Sequence, residues 1–209
     1  MALQNRVNPF GEILTTDARG MFTGNRGVIH DPDSKRLLPR RWTTKAWIIC
    51  VCDFRGRKRD VMGRNSPNGG AGWTELFFLD EVTALAAGHR PCFYCRRERA
   101  KAFAAGFGPT AKAPQIDAVL HAERRASGGK PAAMTLNEVL RLPDGAMVEL
   151  DDKAFALLGG KLLTWSFHGY DAVLDAASAE SLFRLVTPQS TVSVLRNGYA
   201  PVWHGSAQA

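Results

Sequence analysis

The feature that most constrains this chain is the pair Cys92 and Cys95, which are separated by two residues and followed at once by a basic run. Two thiols at this spacing can bind one metal ion, because the short turn between them brings the second sulfur beside the first. Arg96, Arg97 and Arg99 come next. If they begin a helix, its N-terminal dipole also favours thiolate over thiol. The stretch therefore predicts a zinc knuckle with a basic helix behind it.

Length and composition indicate an ordinary globular protein. The chain has 209 residues, enough for one domain or two small ones with a real core. It contains no apolar run near the ~20 residues that span a bilayer, and its start lacks the charged and apolar regions of a signal peptide. We expect a cytoplasmic protein with no membrane contact. Its four cysteines are then more readily reduced thiols or metal ligands than disulfides.

The net charge of +7 is unevenly distributed. Between Lys35 and Lys101 there are 15 Lys and Arg against 6 Asp and Glu, an excess of 9, whereas the remainder has 12 against 14. A local basic excess is typical of proteins that bind a phosphate backbone, although a solvated surface has the same composition. The residues that we expect to contact phosphates are Arg55, Arg57, Lys58, Arg59, Arg96, Arg97 and Arg99.

Patterning predicts an α+β fold. A zinc-knuckle region with a β-hairpin and helices is expected to pack on a β-rich C-terminal region. Residues 1–130 would form the first region and 131–209 the second, or the two would be one continuous domain. Strands are predicted at 45–54, 76–78, 146–150, 154–158, 161–167 and 182–186, with a hairpin return at 60–62. Helices are predicted at 80–88, 96–107, 114–126, 135–140 and 188–197.

Cys50 and Cys52 lie in the strand predicted at 45–54. We expect at most one of these thiols to face a metal shared with Cys92 and Cys95. We take Cys50 as the candidate third ligand. The alternative is that both are small buried apolar residues.

The run GHRPCFYCRR at 88–97, preceded by a strand and a helix that ends in Ala-Ala-Gly, resembles the second half of the Ada-type metal-binding domain. That family is a zinc module of bacterial DNA-repair methyltransferases and of some nucleases. The resemblance covers about residues 45–101 and implies zinc and DNA contact. The usual first ligand pair is replaced by Cys50-x-Cys52, and no alkyltransferase domain is visible, so repair chemistry is not implied.

A second set of residues suggests catalysis. His121 and Glu123 form an H-x-E that, with Pro91 and the two knuckle cysteines, supplies the residue types of a zinc nucleobase deaminase, with Glu123 as general acid/base. The order is reversed relative to that pattern, and residues two apart on a helix diverge by about 200°. His121 could instead complete the zinc site with Asp117 orienting it, or be a surface histidine bonded to Asp117.

A loop gives a third candidate site. His30, Asp31 and Asp33 near Arg26 could form a metal-assisted phosphodiesterase centre. A lone loop histidine is more often neither a ligand nor a catalyst. His30, His121 and Glu123 are thus the candidate catalytic residues, and the sequence does not decide whether the protein is an enzyme.

The leading functional hypothesis is a zinc-binding protein that binds nucleic acid, with DNA as the expected partner. One alternative is a metal-dependent hydrolase of nucleic acids or nucleobases, either a nuclease or a deaminase-like enzyme. Another is a small-molecule or protein-binding domain with a structural metal. No oligomeric state is predicted.

Overall fold

The computed structural model describes residues 2–56, 58–174 and 181–208. Within these ranges twelve strands form two six-stranded sheets, accompanied by five α-helices, so the predicted α+β class is confirmed. In the same ranges no helix is both long and apolar enough to cross a membrane.

The first sheet is built from the N-terminal part of the chain, in the order β2-β1-β5-β3-β4-β6. Its strands are β1 (Gln4–Val7), β2 (Ile13–Thr15), β3 (Phe22–Asn25), β4 (Ile48–Val51), β5 (Leu76–Phe78) and β6 (Arg90–Pro91). β3 runs antiparallel to both of its neighbours, and β4 pairs in parallel with β6. This parallel pair joins residues that are 42 positions apart in the chain, since Ile48 pairs with Arg90, and it forms one edge of the sheet.

The second sheet confirms the prediction of a β-rich C-terminal region. Its strands are β7 (Ala133–Met134), β8 (Met147–Leu150), β9 (Lys153–Leu158), β10 (Lys161–Ser166), β11 (Gly169–Val173) and β12 (Phe183–Leu185). They lie in the order β11-β10-β9-β8-β12-β7. The pair Gly159-Gly160 forms the turn between β9 and β10, as expected. β7 and β11 were not predicted.

The helices are α1 (Glu81–Ala86), α2 (Arg97–Phe107), α3 (Ala113–Glu123), α4 (Leu136–Val139) and α5 (Gln189–Arg196). α1 begins where it does because the Asp80 carboxylate accepts hydrogen bonds from the Thr83 N–H and hydroxyl, both at 2.8 Å. The chain turns after α1 at Gly88, whose φ is +78°; a Cβ there would lie 2.7 Å from the Cβ of Arg124. The predicted capping box of α4 is present, between Thr135 and Glu138.

The predicted hairpin return at 60–62 is wrong. β4 lies between β3 and β6, so it has no free edge for a hairpin partner. The segment instead forms turns around the buried carboxylate of Glu75, which accepts hydrogen bonds from the Met62 N–H at 2.8 Å and from Arg59 Nε at 2.7 Å.

One apolar core connects the two sheets. It includes Phe78 and Leu85 from the N-terminal half and Val148, Phe155 and Phe183 from the second sheet, all nearly or fully buried. A smaller cluster lies between α1 and the second sheet. The helix that precedes the cysteine knuckle is therefore packed against the C-terminal sheet.

Candidate metal centre

The parallel pairing of β4 and β6 positions the cysteines. Ile49 is opposite Pro91 in this ladder, so the next step along both strands brings Cys50 beside Cys92. The Cys92 N–H donates to the Ile49 carbonyl at 2.9 Å, which continues the ladder into the knuckle. The Arg96 N–H then donates to the Cys92 carbonyl at 3.0 Å and closes the turn that returns Cys95.

The sulfur atoms of Cys50, Cys92 and Cys95 all lie within 4.8 Å of one another. Cys50 and Cys92 are buried and Cys95 is half-buried. The exposed Cys52 faces the other way, with its Sγ 3.5 Å from the Met21 carbonyl oxygen. Residues two apart in a regular strand share a face, but β4 ends at Val51, so Cys52 lies beyond the strand and its side chain turns away from the cluster. The three clustered cysteines could hold a metal ion.

Hydrogen bonds and burial set the acidity of these thiols. The bonds with Cys50 and Cys95 lower the pKa of Cys92, as do backbone N–H groups of Cys95 and Tyr94, against the opposing effect of burial. Hydrogen bonding to Cys92 and Cys95, together with burial, raises the pKa of Cys50. For Cys95 the bond with Cys50 acts to lower the pKa, but the bond with Cys92 and burial raise it above its ordinary value. A bound cation would favour the thiolate form of all three sulfurs.

Backbone donors are also directed at the sulfurs. The Tyr94 N–H lies 3.4 Å from Cys92 Sγ, and the Val51 N–H is hydrogen-bonded to Cys95. These N–H groups orient the sulfurs and stabilise negative charge on them, as outer-shell donors do for metal-bound thiolates. The donor set is all sulfur, which suits a soft or borderline metal ion rather than Mg²⁺ or Ca²⁺.

His121 does not belong to the ligand group found among the described residues. Its ring packs edge-on against Trp42, with centroids 4.7 Å apart, and burial and the charges of Arg124 and Lys45 lower its pKa. The expected partnership with Asp117 is not formed. That carboxylate makes two hydrogen bonds to Arg90, at 2.7 and 2.8 Å, and so connects α3 to β6.

Glu123 and His30 have local structural partners. Glu123 accepts hydrogen bonds from the N–H and the hydroxyl of Ser190, at 2.9 and 2.7 Å, and thereby caps the first turn of α5. His30 is buried, with Nδ1 2.6 Å from the Thr74 hydroxyl. Asp31 and Asp33, the other two members of the candidate site in this loop, have hydrogen-bond partners of their own.

Those two members are aspartates of one turn. The Asp31 carboxylate accepts hydrogen bonds from the Ser34 N–H and hydroxyl, and these bonds lower its pKa. Asp33 forms a two-bond ion pair with Arg64. Among the described residues these carboxylates and His30 do not form a group with metal-ligand spacing.

The predicted phosphate-contacting residues differ in exposure. Arg55, Lys58 and Arg97 are exposed. Arg59 is half-buried, paired with Glu75 at 2.7 Å. Arg57 lies outside the described residues.

Arg96 is buried and Arg99 is half-buried, and both pair with the same carboxylate. Their guanidinium groups each lie 2.9 Å from a carboxylate oxygen of Glu81, which is fully buried. Glu81 also accepts hydrogen bonds from the Tyr199 hydroxyl at 2.5 Å and the Val202 N–H at 2.9 Å. Arg96 is itself buried, so in this arrangement its charge is used within the fold rather than presented to solvent.

Sequence reasoning missed two features of this region. One is Glu81 as a partner of the knuckle arginines; a carboxylate in the apolar run LFFLDEVTALAAG signals a buried charge that needs a cation. The other is the contact between the rings of Tyr94 and Phe54, whose centroids are 5.1 Å apart. A tyrosine between two clustered cysteines has little room to turn inward, so its position in the sequence already indicated an outward-facing ring.

Comparisons of the chain with protein-family models, with curated proteins and with solved structures found no match.

Proposed function

We propose that this protein binds zinc through Cys50, Cys92 and Cys95 and uses the basic surface beside that centre to bind nucleic acid, with DNA as the expected partner. The observation that carries the proposal is the approach of the three sulfur atoms to within 4.8 Å of one another. Zinc–sulfur bonds of about 2.3 Å at tetrahedral angles separate sulfurs by roughly 3.8 Å. The three side chains therefore fit one zinc ion with small movements.

Zinc is the metal that this donor set favours. Thiolates select zinc, copper(I) or iron–sulfur clusters, and three sulfurs in a compact group match a mononuclear ion. The resemblance of residues 88–97 to the Ada-type knuckle supports the same choice. Zinc in such a site takes four ligands, so a fourth donor would join the three cysteines. When bound, the ion would fix the β4–β6 junction and the start of α2.

The nucleic-acid part of the proposal rests on the charge next to this centre. Arg55 follows β4, Arg97 begins α2, and both are exposed, as is Lys58. These three residues are the ones we propose for contact with phosphates. Because such contacts release counterions, they give an affinity that depends on salt and carries little sequence preference.

The test is a fluorescence-anisotropy titration of a labelled oligonucleotide with the zinc-loaded protein at several salt concentrations. Affinity should fall steeply between about 50 and 200 mM salt. The double variant Arg55→Ala, Arg97→Ala should bind more weakly, with a salt slope reduced by roughly 1.4 to 1.8, the value for two lost phosphate contacts. Removing zinc should also weaken binding.

The matched control is Lys153→Ala, Lys161→Ala, which removes two exposed charges at the β9–β10 hairpin of the second sheet. We expect this variant to retain the wild-type affinity and slope. Binding that does not change with salt would contradict the proposal, as would equal effects of the two double variants.

A further inference from the structure

Tyr94 is an exposed aromatic residue placed at the metal centre. It lies between Cys92 and Cys95, and 61% of its surface is accessible, against 8% for Cys92. A tyrosine left this exposed contributes little to folding, because most of its ring surface stays in contact with water. Its exposure therefore calls for another explanation.

The ring of Tyr94 belongs to a short aromatic and cationic row. Phe54, which follows β4, lies against it with ring centroids 5.1 Å apart. The guanidinium carbon of Arg55 in turn lies 5.0 Å from the centroid of Phe54. The row is thus Tyr94, Phe54 and Arg55, and it ends in a residue already proposed to contact phosphate.

The knuckle also holds this row in place. The Tyr94 N–H is directed at Cys92 Sγ, and the Val51 N–H, three residues before Phe54, is bonded to Cys95. Both aromatic residues are therefore attached to backbone that a bound metal would make rigid. A pre-ordered aromatic surface loses little conformational entropy when a planar ligand stacks on it.

We propose that Tyr94 and Phe54, the aromatic members of this row, stack on unpaired bases, so that the partner is single-stranded nucleic acid rather than a closed duplex. The inference rests on the proposed nucleic-acid binding and specifies its partner. Bases within a duplex present only their edges, whereas bases of a single strand expose faces that stack on aromatic rings. Arg55 and Arg97 would follow the backbone of the same strand.

The test compares a single strand of about 12 nucleotides, a length within the site size of such proteins, with the duplex of the same sequence. Titrations use the zinc-loaded full chain. We expect the wild type to bind the single strand at least tenfold more tightly than the duplex. Tyr94→Ala should lose about tenfold in affinity for the single strand and little for the duplex, and Tyr94→Phe should retain the wild-type affinity.

Trp42→Ala serves as the matched control, because Trp42 is a partly exposed aromatic residue that packs on His121 and lies outside the row. Its affinity should equal that of the wild type. Zinc content and circular dichroism establish that each variant is folded and loaded. Equal or tighter binding of the duplex, or an equal loss on both ligands in Tyr94→Ala, overturns the single-strand inference while the proposed function stands. If the wild type binds neither the single strand nor the duplex, the proposed function itself is overturned.

Discussion

Cys50 and Cys52, two residues apart in the chain, have different surroundings. Cys50 is beside Cys92 and Cys95 because β4 and β6 are parallel and in register there. Cys52, two residues later, is past the end of the strand and exposed, with its thiol near the Met21 carbonyl. Only the first position places a sulfur where a shared ion can bind.

Substitution of Cys50 and of Cys52 should have different effects on zinc content. Cys50→Ser, Cys92→Ser and Cys95→Ser should each lower zinc content well below that of the wild type, because each removes one of three sulfur donors. Cys52→Ser should retain the wild-type zinc content. The measurement is metal analysis of dialysed protein, supported by the thiolate absorption of the cobalt-substituted form. A wild-type metal content in all four variants, or loss in Cys52→Ser, would rule out this ligand set.

For individual residues, the sequence identified the candidate metal-binding cysteines but not every side-chain contact. The spacing of Cys92 and Cys95 is a local rule, and these two sulfurs do lie together. Cys50 joins them through the pairing of β4 with β6, and Cys52 does not because β4 ends before it. The inward orientation of Arg96 could not be read from its neighbours. It depends on Glu81, a carboxylate 15 residues earlier that the fold buries beside it.

Among the elements, α1 connects the knuckle to the rest of the molecule. Asp80, its N-cap, accepts hydrogen bonds from the Tyr170 hydroxyl and the His204 N–H, both at 3.0 Å. Glu81, its first residue, holds Arg96 at the start of α2 and Tyr199 after α5. One helix of six residues thus holds the start of α2 together with the C-terminal part of the chain.

Glu81→Gln tests this arrangement. Burial acts to raise the pKa of Glu81, but Arg96, Tyr199 and the Val202 N–H together lower it below its ordinary value of 4.5. Replacing the charge leaves two arginines without their carboxylate, and removing one member of a buried pair typically costs about 3 kcal/mol. We expect that loss in the free energy of unfolding at neutral pH, measured by urea denaturation.

The pH dependence follows from the sign of the shift. A carboxyl whose pKa is lowered on folding stabilises the protein fully above its ordinary pKa and loses that effect as pH falls through the folded value. The stability difference between wild type and Glu81→Gln should therefore shrink below about pH 4.5. Glu98→Gln is the control, since Glu98 forms an exposed pair with Lys101 on α2 and should change stability little. A difference that stays constant as the pH falls would contradict the assigned role.

Sequence patterns predicted most of the helices and strands but not which strands pair with each other. The strands at β8, β9, β10 and β12 and the helices α1, α2, α3, α4 and α5 follow from periodicity, turn residues and caps. β4 was predicted as a strand, yet its partners β3 and β6 lie far from it in the chain. Local rules favoured a hairpin at 60–62, and long-range pairing prevented it.

At the scale of the whole molecule, both sheets share one apolar core. Leu85 of α1 and Val148 of β8 are both within 1% of complete burial and belong to the same cluster. The sequence suggested an N-terminal and a C-terminal region with a boundary near residue 130. A shared core makes the stability of one sheet depend on the other, because neither can lose its apolar contacts alone.

This dependence predicts a single cooperative unfolding transition. Leu85→Ala should lower the free energy of unfolding by about 3 kcal/mol. In native-state hydrogen exchange, the most slowly exchanging amides of the first sheet and of β8 to β10 should lose the same free energy of protection. This loss should reach β8 to β10 even though Leu85 belongs to the N-terminal half. Leu140→Ala, at a position 46% exposed after α4, should have a much smaller effect in both sheets. If only the first sheet loses protection in Leu85→Ala, the two sheets unfold separately and the shared core does not couple them.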